Sequence, residues 1–165
     1  MPRRFDLALM RPPAPQPLAD PALLARLRAW CEAGAHAAEA FGAASIAPHA
    51  GLDGVACALD GSHELARLGR WRGLAWRLQL LVQEQMPGHR LGPEAPWDCG
   101  WWRAGPLQAA AAFRPRRVTL LLANEPEPAI AAALLATLRA ASPAYARPLR
   151  LLVVSALPLA GQPRL

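Results

Sequence analysis

The 165-residue chain is 53% hydrophobic and 18% charged, which is enough to bury one core and too short for two. All 18 of its basic residues are arginine, and the formal net charge of +6 falls in residues 101–165, where eight arginines face only Glu125 and Glu127. The absence of lysine excludes a Walker A phosphate loop, a pyridoxal Schiff base and a lysine general base.

Residues 5–10 form a short apolar run that reads as a strand, ended by Arg11-Pro12-Pro13. Asp6 and Arg11 break that run, so it lacks the length of a secretory or membrane segment. The three cysteines, Cys31, Cys57 and Cys99, are odd in number and far apart, which argues against a disulfide framework. A soluble cytoplasmic protein with no membrane association is expected.

The Pro-rich residues 12–17 are a connecting loop. Asp20-Pro21 then starts a helix, with Asp as N-cap and Pro at the first helical position. Leu23, Leu24, Leu27, Trp30, Cys31, Ala35, Ala38 and Phe41 share one arc of about 140°, which predicts an amphipathic helix to about residue 42. Turn signals at Asp53-Gly54 and Asp60-Gly61 bracket the apolar residues 55–59, read as a short buried strand, with a helical turn as the alternative. Ser62 caps a second helix over residues 62–86, stopped by Pro87-Gly88. Residues 87–105 hold Trp97, Trp101 and Trp102 and read as a long, Trp-rich loop. A short helix over 106–113 follows. Residues 117–123, 129–141 and 150–155 then read as strand, helix and strand, a βαβ unit with parallel strands.

The order β-α-β-α-(Trp-rich loop, short α)-β-α-β predicts an α/β fold, a three-layer sandwich with about four mainly parallel strands. The whole of 1–165 is read as a single globular domain, with 158–165 as a frayed tail.

If all strands run one way, Arg3, Arg4, Arg114, Arg116, Arg117 and Arg147 gather at the N-terminal edge of the sheet, with Arg150 opening the last strand. Arg11, Asp60, His63, Glu64, Glu125 and Glu127 gather at the C-terminal edge. Acids at helix starts and bases at helix ends also complement helix dipoles, so this polarity has a purely structural reason as well. Ligands of open α/β sheets bind at strand C-termini, which makes Asp60, His63 and Glu125 the site to inspect if the protein is an enzyme. An arginine-rich edge suits an anion or nucleic acid, while arginine beside exposed tryptophan suits protein interfaces. Trp76 lies off the apolar arc of its helix, and Arg103 follows the tryptophans, so Trp76, Trp97, Trp101, Trp102 and Arg103 are candidate partner-binding residues.

Cys31, His36, His49, Cys57, His63, His89 and Cys99 show no close C-x-x-C type spacing, so neither a metal nor another cofactor is expected. The leading expectation is a small non-enzymatic accessory or interaction protein that binds another protein or a second copy of itself. Nucleic-acid binding through the arginine edge is the second reading, and a small α/β enzyme the third.

Overall fold

Asp20 begins the first helix as its sequence position predicts: its carboxylate accepts from the Leu23 N–H at 2.9 Å, satisfying one of the donors that a helix start leaves open. In the computed structural model, which describes residues 9–36, 39–61, 71, 74, 75, 96–115 and 117–165, this helix is α1, Pro21–His36. Leu23, Leu27 and Cys31, four residues apart, are its buried stripe.

The helix ends at His36, short of the expected residue 42, and Phe41 opens a strand instead: β2, Phe41–Ile46. All six residues of β2 pair in parallel with the strand at Leu149–Val154, named β5 below. This ladder prevails over the helical preference of an Ala-rich segment. The expected strand over 55–59 is likewise corrected. It is part of helix α2, Leu52–Leu59, of which all but Asp53 are buried. A short run that is apolar all round has no period from which to choose helix or strand, so tertiary position decides. Gly54 lets α2 pack close to the preceding loop, because a Cβ there would collide with the Pro17 carbonyl.

The expected Trp-rich loop contains a strand, β3, Asp98–Trp102. Helix α3 (Leu107–Ala112), strand β4 (Thr119–Asn124), helix α4 (Pro128–Ala141) and β5 follow. β4 and β5 are parallel, from Thr119↔Leu149 to Asn124↔Val154, as expected of the βαβ unit. One short strand runs the other way. β1, Met10–Arg11, is antiparallel to β3, with Met10 opposite Trp102. This is a mixed α/β fold whose five-stranded sheet has the order β1-β3-β4-β5-β2.

Side chains alternate across the sheet, and both faces are apolar. On one, Ala44, Ile46, Cys99, Trp101, Leu120, Leu122, Leu152 and Val154 pack with residues of α1 and α2. On the other, Phe41, Ala43, Leu121, Ala123, Leu149, Leu151 and Val153 pack with Ala110 of α3 and Leu134, Leu135 and Leu138 of α4. The end of the expected frayed tail is docked: the Ser45 N–H donates to the Pro163 carbonyl at 2.9 Å and the Leu165 N–H to the Ser45 carbonyl at 2.8 Å, lining the outer edge of β2. The expected helix over 62–86 lies mostly outside the described residues, as do Arg3, Arg4, Ser62, His63, Glu64, Trp76, His89 and Arg116. No helix among the described residues is long and apolar enough to cross a membrane.

Candidate functional site

The parallel strands β2–β5 give the sheet two unlike edges. At the N-terminal edge, Arg114 and Arg117 precede β4, Arg147 precedes β5, Arg150 is the second residue of β5, and Arg139 lies in the last turn of α4. At the C-terminal edge, Glu125 follows β4, Glu127 occupies the N-cap position of α4 without a side-chain hydrogen bond, Asp20 caps α1 and Asp53 lies in the first turn of α2. Acids therefore stand at helix starts and Arg139 at a helix end, as the helix dipoles favour.

The carboxylates of the expected enzyme site do not meet. Asp60 ends α2, and the Leu59 carbonyl beside it accepts from the Trp97 N–H at 2.9 Å, just before β3 begins. Asp60 is thus at the N-terminal edge, while Glu125, with a positive φ of 40°, is at the opposite one. His63 lies outside the described residues. Arg11 also differs from its expected place. Because β1 is antiparallel, Arg11 pairs opposite Trp101 instead of closing a strand at the C-terminal edge. Arg103 follows the last residue of β3, on the acidic edge and away from Arg114.

The three tryptophans in and beside β3 are largely core, whereas Trp71 is exposed. Trp97 is 3% exposed, Trp101 is 7% exposed, and Trp102 is half-buried. As neighbours on a strand, Trp101 and Trp102 point to opposite faces and enter the two different apolar clusters. The Trp101 indole donates to the Asp53 carboxylate at 2.6 Å, and the Arg11 guanidinium lies 5.8 Å from the centre of the Trp101 ring. A partner-binding surface made of Trp97 and Trp101 is therefore corrected to a packing role.

The N-terminal edge contains a feature the sequence only hinted at. Arg150 is 1% exposed, the least accessible of the described arginines, and lies on the α1 face of the sheet beside Cys31. Its Nη1 donates to the Glu39 carbonyl at 3.1 Å and to the Leu149 carbonyl at 3.2 Å. Its Nη2 is buried with no acceptor among the described residues. Burial pulls the Arg150 pKa below the ordinary arginine value, opposed by Cys31 and Glu39. Arginine starts so high that it remains charged. Burial pushes the Cys31 thiol up to about 12, with Arg150 pulling the other way. Arg150 also forms part of the wall of a partly open cleft of about 560 Å³. Trp30, Phe41 and Pro163 supply apolar surface there, and Arg139, Gln162 and Glu39 supply polar groups.

Asp98 and Arg117 form an ion pair at 3.4 Å on the same edge. Arg114 donates to the Ala111 and Phe113 carbonyls at 2.8 and 2.7 Å, closing the end of α3. Cys31, Cys57 and Cys99 are all buried, and among the described residues no cluster of three His, Cys, Asp or Glu is placed to hold a metal ion. Comparison with family models, with curated proteins and with solved structures gives no match for this chain.

Proposed function

We propose that this is a small non-enzymatic accessory protein of the cytoplasm that docks an acidic segment of a partner protein on the N-terminal edge of its sheet. The observation that carries the reading is the polarity of that edge, with Arg114, Arg117, Arg147 and Arg150 at the strand starts, Arg139 at the end of α4, and the acids beside the helix starts at the other end. Asp60, Asp98 and Glu39 stand on the same edge, but the five arginines outnumber them, and a net positive field speeds encounter with an oppositely charged partner and sets its orientation. The reading takes the fold as a three-layer sandwich, supported by apolar clusters on both faces of the sheet. Trp97 and Trp101 are buried and so are withdrawn from the contact surface for either kind of partner, which leaves the arginine edge to carry the reading. An enzyme is disfavoured by the separation of Asp60 from Glu125.

The test is binding of a poly-glutamate peptide and of a single-stranded oligonucleotide across a salt series, with wild type and Arg114→Glu/Arg147→Glu. Peptide binding that the charge reversal abolishes is the expected result. Tighter oligonucleotide binding, with a slope of about 0.7 log units per phosphate neutralised, would replace the partner by nucleic acid. Binding of neither at low salt ends the proposal.

A further inference from the structure

We propose that the cleft beside Arg150 and Arg139 is a binding site for a small organic oxyanion, a carboxylate or phosphate monoester carried on an apolar body. The cleft shares Arg139 and Arg150 with the docking edge, but binding of a small oxyanion in it does not depend on the docking proposal and is tested separately. A buried guanidinium is costly unless an opposite charge or a full set of acceptors compensates it. Here two backbone carbonyls occupy Nη1, Nη2 has no acceptor among the described residues, and the Glu39 carboxylate acts on the group through its field, with no hydrogen bond to it. The positive charge therefore lies under the cleft wall with its compensation incomplete. Arg139, exposed on α4, brings a second guanidinium to the same space, and Gln162 adds an amide. Glu39 is the one acid of the lining.

The cleft also selects for more than charge. Its volume of about 560 Å³ lies within the range of small-molecule sites, far more than a bare inorganic ion fills. The Trp30 indole and Phe41 ring provide surface for an apolar body. In this arrangement Arg139 holds the oxyanion directly, with the paired N–H geometry that suits carboxylate and phosphate. Arg150 contributes the field from beneath, and Gly42 leaves the room its side chain occupies.

The experiment is a thermal-shift and calorimetric titration with benzoate, phenyl phosphate and inorganic phosphate at constant ionic strength, with chloride as reference. Benzoate or phenyl phosphate should raise the melting temperature with dose and exceed inorganic phosphate. Which of the two binds more tightly identifies the head group. Arg139→Ala, a surface change, should weaken binding about tenfold, while the unliganded melting temperature falls only by the small loss of its helix-dipole contact. Arg150→Met should fold and lose the ligand-dependent rise. The proposal is overturned if no oxyanion stabilises the protein beyond chloride, if inorganic phosphate does as well as phenyl phosphate, or if Arg139→Ala binds as the wild type does.

Discussion

Gly42 of β2 and Arg150 of β5 are direct partners in the parallel ladder, and the arginine side chain lies where a side chain at 42 would stand. A Cβ at position 42 would approach Arg150 Cδ to 3.1 Å and Nε to 3.3 Å. The glycine is thus set by the arginine, not by any turn.

Gly42→Ala is therefore expected to destabilise the protein by about 1 kcal/mol, because overpacking outweighs the entropy gained by losing a glycine. In an Arg150→Met background the penalty should shrink. A double-mutant cycle from urea melts checks this: additive effects would mean that the two side chains do not compete for the same space.

Trp101 and Asp53 form the second pairing to test, since the indole N–H is held by the carboxylate that also accepts from the Ala14 N–H at 3.1 Å. Trp101→Ala should cost about 3–5 kcal/mol, as for a large core residue. Asp53→Ala should cost about 1–3 kcal/mol by leaving that N–H without its acceptor. Urea melts measure both, and a Trp101→Ala variant with unchanged stability would return Trp101 to a surface role.

Alkaline pH should weaken the fold through Cys31 and Tyr145. Burial is the main cause in both cases and pushes each up to about 12, with Arg150 opposing at Cys31 and Arg114 at Tyr145. The folded state holds these protons more tightly than the unfolded chain. Their contribution is complete below the ordinary thiol and phenol values and is lost as pH rises from about 9 toward 12. Melting temperature against pH tests this, and Cys31→Ala should flatten the part due to the thiol.

Deleting residues 163–165 removes two backbone hydrogen bonds to Ser45 and the packing of Leu165 on the α1 face of the core. A loss of about 1–3 kcal/mol is expected from the hydrogen bonds. The uncovered edge of β2 should also promote self-association, since an open strand edge is a template for pairing. Sizing chromatography beside thermal melts reads both effects.

How much of this was legible depends on where the information lies. α1 carries a helical apolar stripe and the start signal Asp20-Pro21, so its beginning follows from local pattern, while its end at His36 does not. β4 and β5 are unbroken apolar runs on either side of a helix, and that order implies a parallel pair. The misread segments lack a local signature. Four of the six residues of Phe41–Ile46 are Gly, Ala or Ser, and it is a strand because β5 lies beside it. Trp101 and Trp102 sit among glycines and prolines in sequence, yet Gly100 serves close packing, with a Cβ there coming within 2.7 Å of Met10 Cε. The places of Arg114, Arg117 and Arg147 before β4 and β5 were readable because they need only strand direction, whereas Arg3, Arg4 and Arg116 lie outside the described residues. The burial of Arg150 was not, since it depends on the missing side chain at Gly42 a hundred residues earlier in the chain.

The strand order carries a consequence for the birth of the molecule. β2 is complete at Ile46, yet its ladder neighbours among the described residues are β5, starting at Leu149, and the tail around Arg164. At ordinary synthesis rates of about 5–20 residues per second, β2 leaves the ribosome roughly 5–20 s before the strand that pairs with it. Until then the two-sided apolar sheet cannot close, and the first third of the chain must wait with its strand edges bare. A nascent chain arrested before residue 149 should therefore be protease-sensitive and dependent on chaperones, and should acquire resistance in one late step once β5 emerges.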